Sequence, residues 1–170
     1  MIVTRRLFNA LPALALAGAF PARAEGLGSP SGKPILRISG KITTFNQGSE
    51  AVFDLAMLEA LGSETMRTRT PWYNQAVVFQ GVLMRKLLQI VGAYGDSLMV
   101  IALNDYACQI PAGDFTRFPV LLAYKRDGQP MPISDKGPLF IVYPYDSDPE
   151  LQSQKYYSRS AWQVAKIQVL

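Results

Sequence analysis

The chain has 170 residues, of which 49% are hydrophobic and 18% are charged, and its formal net charge is +4. It contains no histidine and a single cysteine, Cys108. These counts exclude Ser/His/Asp and Cys/His catalysis, imidazole metal ligands, an internal disulfide, a thiolate zinc site and an iron–sulfur cluster. The length favours one domain with a sizeable core. What remains is chemistry by carboxylate, lysine or tyrosine, a bound cofactor, or binding without chemistry.

The N-terminal segment has the pattern of a secretory signal peptide. It contains, in order, a basic pair (Arg5 and Arg6), an apolar run (residues 7–20) and an A-x-A site (residues 22–24). We predict cleavage after Ala24 and export from the cytoplasm. The first 24 residues hold three of the 17 basic residues and none of the 13 acidic ones, so residues 25–170 carry a formal charge of +1. The net charge therefore gives little support to a nucleic-acid partner.

The basic pair belongs to the sequence Thr4-Arg5-Arg6-Leu7-Phe8, which resembles the twin-arginine export pattern. Proteins that follow this route are exported already folded. Because Arg-Arg pairs also occur in ordinary signal peptides, both the general secretory route and the twin-arginine route stay open.

The first half of the remaining chain predicts strands and short helices. Residues 25–34 are rich in Gly, Ser and Pro and predict a flexible lead-in to a domain at residues 35–170. The predicted elements are a strand at 35–44 with a bulge at Gly40, a two-turn helix capped by Asp54 and ended by Gly62, extended pieces at 64–70 and 76–79, and a helix at 83–91 stopped by Gly92.

The second half of the chain is mostly extended. The predicted strands are 97–103, 106–111, 120–125, 139–143 and 161–169, with one helical turn at 112–117 and a turn at Asp127-Gly128. This alternation predicts an α+β fold, a mixed and barrel-like β-sheet domain with short helices.

Polar and aromatic residues collect in four loops beside the apolar strands. The loops are 69–73 (RTPWY), 104–106 (NDY), 143–148 (YPYDSD) and 156–159 (YYSR), the last followed by Trp162. Aromatic faces next to amide and carboxylate groups suit a flat, nitrogen-rich heterocycle, because rings stack on it and oxygen atoms accept from its N–H edge. The candidate ligand-binding residues are Arg69, Trp72, Asn104, Asp105, Tyr106, Tyr145, Asp146, Tyr157, Ser158 and Arg159.

Each loop also has an ordinary structural explanation, as turn chemistry or as core aromatics, and periodicity alone does not show that the loops converge. If they do, we expect Trp72 or a neighbouring tyrosine to stack on the ring. Asp146 or Asp105 would accept from its N–H edge, and Asn104, Arg69, Tyr157 and Arg159 are candidates for its carbonyl oxygen and hydroxyl groups.

The order of several segments resembles a known family. The segments are residues 81–93 (GVLMRKLLQIVGA), 102–115 (ALNDYACQIPAGDF), 121–144 (LLAYKRDGQPMPISDKGPLFIVYP) and 160–170 (SAWQVAKIQVL). Together they resemble the oxidoreductase molybdopterin-binding domain, which has the sulfite-oxidase fold. The resemblance extends over nearly all of residues 35–169 and implies that fold for this chain.

Enzymes of that family hold molybdenum through a cysteine thiolate, a soft ligand for the metal. The resemblance places that cysteine in the stretch Met66–Trp72, where this chain has none. Cys108 lies instead in the predicted strand after Asp105, and we interpret it as a buried structural thiol. No metal site is predicted.

A smaller branch of the same fold is more similar to this chain. Short exported proteins with Pro-Trp, Asn-Asp-Tyr, Tyr-Pro-Tyr-Asp and Tyr-Tyr-Ser-Arg segments resemble periplasmic pterin-binding proteins. The resemblance implies a reduced pterin as ligand rather than the molybdopterin cofactor, and no catalysis. It also implies a partner, the periplasmic domain of a membrane-bound diguanylate cyclase/phosphodiesterase, and a role in cyclic-di-GMP signalling and biofilm formation. The alternatives are a molybdopterin-dependent periplasmic oxidoreductase with an atypical metal ligand and a scaffold that contacts only protein.

Overall fold

The computed structural model describes residues 26–170, so the predicted signal peptide and its cleavage site lie outside the described residues. The strands are β1 (Leu36–Gly40), β2 (Ala51–Phe53), β3 (Glu64–Thr70), β4 (Tyr73–Leu83), β5 (Ser97–Ala102), β6 (Ala107–Pro111), β7 (Leu121–Arg126), β8 (Gln129–Pro130), β9 (Phe140–Val142) and β10 (Val164–Val169). The helices are α1 (Leu55–Ala60), α2 (Met84–Ile90), α3 (Gly113–Arg117) and α4 (Gln154–Tyr157). Among these helices none is long and apolar enough to cross a membrane.

The strands form two sheets. Sheet I has the order β2-β1-β10-β5-β6, with β10 parallel to β1 and antiparallel to β5. Sheet II has the order β3-β4-β7, and both β8 and β9 pair with the far side of β7. Strand β9 and the first four residues of β7 are fully buried, which their continuous apolar sequence predicts. The predicted α+β class with short helices is confirmed, and the strands divide between two sheets.

The segment that precedes β10 connects the two sheets. The Ile141 N–H of β9 donates to the Ala161 carbonyl at 2.9 Å, and Phe140 and Trp162 form an isolated antiparallel bridge. Gln163 then adopts a left-handed conformation, with a φ of 55°, and the chain enters sheet I. The predicted strand 161–169 is therefore wrong in its first part, because residues 161–162 pair with sheet II before the turn.

Helices α1 and α2 begin and end close to where the sequence predicts, whereas α4 was not predicted. The Asp54 carboxylate accepts from the Met57 N–H at 2.8 Å and caps α1. Helix α2 buries Met84 and Leu87, and it ends where Gly92 takes a φ of 60°. Both helices thus pack one apolar face on the core and leave polar residues outside.

One prediction about the first strands is wrong, and another is correct but too short. Gly40, with a φ of 88°, ends β1 instead of forming a bulge within a longer strand, and residues 41–44 leave the sheet. The extended piece predicted at 76–79 is the middle of the eleven-residue β4. The three-residue β2 was not predicted, because so short a strand carries no periodicity of its own.

The described part of the predicted lead-in has neither helix nor strand, but hydrogen bonds attach it to the domain. The Asp54 carboxylate accepts from the N–H groups of Ser31 (2.8 Å) and Gly32 (2.7 Å), and Asn46 Nδ2 donates to the Gly28 carbonyl at 2.6 Å. The backbone N–H groups of Met57 and Gly32 lower the pKa of Asp54. The flexibility of this segment stays a prediction.

A charged cluster lies at the edge of the core. The Asp114 carboxylate accepts from Arg159 Nη1 at 2.7 Å and from the Tyr143 hydroxyl at 2.8 Å. The side chains of Asp114 and Arg159 are only 11% and 18% exposed. Burial, together with the Asp114 carboxylate, raises the pKa of Tyr143 well above its ordinary value. This cluster attaches α3 and the end of α4 to the core.

Gly81 allows the closest approach between β4 and β7, and we predict that Gly81→Ala is strongly destabilising. A Cβ atom at this position would lie 2.2 Å from the Leu122 carbonyl oxygen and 2.6 Å from the Ala123 Cα. Both are backbone atoms of the neighbouring strand, so we expect a loss of about 2 kcal/mol or more. Thermal unfolding should show a Tm lower by roughly 5 °C.

The matched control is Gly113→Ala, because nothing lies within 4 Å of a Cβ atom at Gly113. Its Tm should equal or exceed that of the wild type. A wild-type Tm for Gly81→Ala would contradict the close strand approach.

We also predict that Asp114→Ala destabilises the protein far more than loss of an exposed ion pair. The change leaves the Arg159 guanidinium without its carboxylate in a mostly buried setting, which costs about 3 kcal/mol in free energy of unfolding. The control is Glu50→Ala, since the Arg37–Glu50 pair is 38% and 35% exposed and should contribute less than about 1 kcal/mol. Denaturant unfolding of both variants measures the difference, and equal losses would contradict a structural role for Asp114.

Candidate functional site

An aromatic pocket of about 340 Å³ opens at one end of sheet I, beside its junction with sheet II. Its walls are Pro71, Trp72, Asn104, Tyr106, Gln154, Tyr157, Ser158, Ser160, Ala161 and Trp162. Four separate parts of the chain supply them: the β3–β4 turn, the β5–β6 turn, helix α4 with the residue after it, and the segment that joins the two sheets.

Trp72 is the centre of the aromatic cluster in the pocket wall. Its ring lies edge-on to those of Trp162 (5.4 Å between ring centres), Phe140 (5.4 Å) and Tyr157 (6.0 Å). Phe140 is fully buried in β9, whereas Trp72, Trp162 and Tyr157 are half-buried. The cluster therefore holds three partly exposed rings in place against the core.

The β5–β6 turn forms the opposite wall. Asp105 has a φ of 64°, a conformation that Asp tolerates in turns, and Asn104 Oδ1 accepts from the Tyr106 N–H at 3.2 Å. The Tyr106 hydroxyl donates to the Ser158 carbonyl at 2.9 Å, which joins this turn to the end of α4. Burial raises the pKa of Tyr106. The turn is thus fixed at both ends while the Asn104 amide nitrogen faces no protein acceptor in residues 26–170.

Ser160 is a buried residue of the pocket wall, and its hydroxyl already has hydrogen-bond partners. It donates to the Tyr156 carbonyl at 2.8 Å and is hydrogen-bonded to the Tyr145 hydroxyl. Burial raises the pKa of Tyr145 above its ordinary range, so both hydroxyl groups stay protonated. Through these bonds Ser160 and Tyr145 support the wall of the pocket.

Gln154, the first residue of α4, is exposed at the rim of the pocket. Within the described chain its side-chain amide has no hydrogen-bond partner. A free primary amide offers one acceptor oxygen and two N–H donors. Sequence analysis mentioned Pro71 and Trp162 with the loops but did not include them among the ten candidate residues, and it missed Gln154, Ser160 and Ala161. The sequence did contain one signal: Gln154 and Ser160 lie within two residues of the loop Tyr156–Arg159.

A second, polar pocket of about 200 Å³ adjoins the aromatic pocket. Its walls are Arg69, Thr70, Pro71, Tyr145, Asp146, Gln152 and Tyr157, so the two pockets share Pro71 and Tyr157. Asp146 is exposed, and its Oδ2 accepts from the Arg69 N–H at 2.9 Å. The polar pocket thus presents a carboxylate just beyond the Tyr157 ring.

The structure distributes the ten predicted residues over three places. The aromatic pocket contains Trp72, Asn104, Tyr106, Tyr157 and Ser158. The polar pocket contains Arg69, Tyr145 and Asp146, and also Tyr157. Asp105 and Arg159 line neither pocket, because Asp105 is the central residue of a turn and the Arg159 guanidinium is bound to Asp114. A ligand-binding role for each of the ten residues stays a prediction.

Cys108 is half-buried rather than fully buried, because β6 is an edge strand of sheet I. Its Sγ lies 4.0 Å from the Arg159 carbonyl oxygen. Burial raises the pKa of the Cys108 thiol to about 11, so it stays protonated near neutral pH.

These properties bear on the molybdenum cofactor that the sequence resemblance raises. In the family that the sequence resembles, the protein ligand to molybdenum is a cysteine thiolate, and the one cysteine of this chain, Cys108, does not line the aromatic pocket. In residues 26–170 no group of three His, Cys, Asp or Glu side chains is placed to hold a metal ion. The residues present therefore do not fit the molybdenum ligand, although the aromatic walls suit a flat heterocycle.

Comparison with known proteins supports the fold. Neither a family model nor a curated protein matches the chain. Its structure is similar to that of the sulfane dehydrogenase SoxCD from Paracoccus pantotrophus, with a TM-score of 0.56 and 16% sequence identity over 79% of this chain. The match covers 37% of the dehydrogenase chain, so this chain corresponds to a minor part of that protein. Similarity at this identity concerns the fold alone: the chain has the mixed α+β fold of the sulfite-oxidase type that its sequence predicts.

Proposed function

We propose that the chain is a non-catalytic pterin-binding protein, and that its aromatic pocket holds a reduced pterin. The observation that carries this proposal is the combination of three half-buried rings, Trp72, Trp162 and Tyr157, with the unpaired Gln154 amide at the rim of one pocket. A volume of about 340 Å³ lies at the lower end of the range for small-molecule sites. It suits a two-ring heterocycle with a short substituent.

Stacking supplies affinity, and amide groups supply selectivity. A ring stacked on an aromatic side chain contributes about 1–3 kcal/mol. The Gln154 side chain can accept from a ring N–H and donate to the neighbouring ring carbonyl, a pairing that a pterin edge offers. The Asn104 amide nitrogen is a second donor on the opposite wall.

The position of Asp146 gives it a different role from the one first expected. It lies in the polar pocket beyond Tyr157, so a ring in the aromatic pocket would present its substituent, rather than its edge, to this carboxylate. In this proposal Asp146 and Arg69 bind polar groups of the pterin side chain. Asp105 contributes only the turn.

Two properties of the side chains support binding without catalysis. The chain has no histidine, and its one thiol is held protonated away from the pocket. In this proposal the protein binds the pterin and does not convert it to a product.

The cellular part of the proposal rests on the sequence resemblance. We place the protein in the periplasm, after cleavage at Ala24 and export by the general secretory or twin-arginine route. There the loaded protein would act on the periplasmic domain of a membrane-bound diguanylate cyclase/phosphodiesterase and so influence biofilm formation.

A molybdopterin-dependent oxidoreductase with an atypical metal ligand is the second candidate. It is favoured by the structural similarity to a dehydrogenase and by the twin-arginine pattern at Thr4–Phe8. It is opposed by the lack of a cysteine in the stretch Met66–Trp72 and by the position of Cys108 outside the aromatic pocket.

Analysis of the native protein separates the two candidates. Protein purified from the periplasm of its own host should release a fluorescent pterin in near-stoichiometric amount after acid extraction and should contain no molybdenum by elemental analysis. Stoichiometric molybdenum would support the oxidoreductase instead. An extract without any pterin would contradict both candidates and favour a scaffold that contacts only protein.

We predict that Trp162→Ala weakens binding of a tetrahydropterin at least about tenfold, since it removes one stacking face. Isothermal titration under anaerobic conditions measures the dissociation constant, and a thermal unfolding curve confirms that the variant is folded. The control is Tyr94→Ala, because Tyr94 is 66% exposed and lies outside the aromatic pocket. Equal affinity of Trp162→Ala and wild type would place the ligand elsewhere.

Three polar variants then locate the ring edge. Gln154→Ala should weaken binding about as much as loss of one or two hydrogen bonds, roughly five- to tenfold. Asp146→Ala should affect only pterins that carry a hydroxylated side chain. If Asp146→Ala and Asp105→Ala both bind every reduced pterin as tightly as wild type, neither carboxylate contacts the ligand.

A further inference from the structure

A second concave surface lies at the same end of sheet I as the aromatic pocket. It is a groove of about 310 Å³ between the first residues of β1 and β10 and the end of β5. We call it the basic groove: its apolar walls include Ile35, Leu103, Ile133 and Ala165, and its rim carries Lys33 and Lys166. None of the sequence motifs that suggested a ligand site belongs to it.

The apolar residues of the groove are unusually exposed. Leu103 is 51% exposed and Ile133 is 55% exposed, and the two side chains line the same groove. Single exposed apolar residues are common on protein surfaces, whereas a concave apolar patch with a polar rim is typical of an interaction site. A groove of this size accommodates one or two apolar side chains of a partner.

The charged side chains that line the groove are all basic. Lys33 and Lys166 are exposed, and neither forms an ion pair within residues 26–170. Arg37 also lines the groove, and it is paired with Glu50 at 2.8 Å. No carboxylate is among the lining residues. An occupant with acidic groups would therefore gain two favourable contacts that the domain itself leaves unused.

We propose that the basic groove docks a short acidic segment of a partner protein. One or two apolar side chains of the segment would insert between Leu103 and Ile133, and its Asp or Glu side chains would pair with Lys33 and Lys166. This inference rests on the proposed signalling function, because it identifies the surface through which that function reaches a partner. A bilayer is a poorer fit, since a concave site does not insert into lipid.

The backbone connects this groove to the aromatic pocket. Leu103 lines the groove, and the next residue, Asn104, lines the pocket. Gln163 is the residue after Trp162, which lies in the pocket wall. The Gln163 carbonyl accepts from the Leu103 N–H at 2.9 Å, and its side chain donates to the Ile133 carbonyl at 2.7 Å. Hydrogen bonds of Gln163 thus attach both apolar walls of the groove to the chain that carries Trp162.

Selection from a phage-displayed random peptide library against the purified exported protein tests the proposal. We expect enriched peptides that combine Asp or Glu with Leu, Ile or Phe. Synthetic copies should bind the double variant Lys33→Glu, Lys166→Glu at least about tenfold more weakly than wild type. The matched control is Lys41→Glu, Lys86→Glu, which reverses two exposed lysines outside the groove and should bind as wild type.

Three results would overturn the proposal: no enrichment, enrichment of peptides without acidic residues, or equal binding to the groove variant and its control. Flotation with phosphatidylglycerol vesicles tests the lipid alternative, and lysine-dependent binding to vesicles without peptide enrichment would favour it. Tetrahydropterin titration of the groove variant should give the wild-type affinity. Because peptide selection needs no pterin, failure of pterin binding and failure of groove docking are separate results.

Discussion

The structure depends on a short stretch of chain that belongs to both sheets. The Ala161 carbonyl accepts from the Ile141 N–H of β9, and Trp162 lies opposite Phe140 in an antiparallel bridge. After the left-handed turn at Gln163 the same chain becomes the central strand of sheet I. The two sheets cannot separate without breaking these bonds. The position of the Trp162 ring is therefore set by backbone pairing as well as by side-chain packing, and a ligand would meet a wall already formed.

Local sequence rules predicted most of the elements, because their causes are local. Asp54 caps α1 through a residue three positions away, and Gly92 ends α2 by its own φ. The errors occur where contact with backbone far away in the sequence determines the local structure. Gly40 ends β1 because it approaches the Val169 carbonyl, where a Cβ atom would lie 2.2 Å away. Nothing in the sequence around Gly40 distinguishes this from a bulge.

The candidate site was predicted at the level of loops and not of individual side chains. Four polar and aromatic loops were selected, and they do converge, since each supplies a residue to one of two adjoining pockets. Arg159 illustrates the limit: its partner Asp114 is 45 residues away in sequence, so only the fold shows that the guanidinium is already paired. Gln154 shows the opposite situation. Its amide is ordinary in the sequence, and only the fold shows that it lies at a pocket rim without a hydrogen-bond partner in the described chain.

Two residues separate the aromatic pocket from the polar pocket. Pro71 and Tyr157 belong to both walls. The proline ring is rigid, and the half-buried Tyr157 ring packs against those of Trp72 and Tyr145, with 6.0 Å and 5.5 Å between ring centres. With Tyr157 packed in this way, the volume of each pocket, about 340 Å³ and about 200 Å³, sets the size of the group that each can hold.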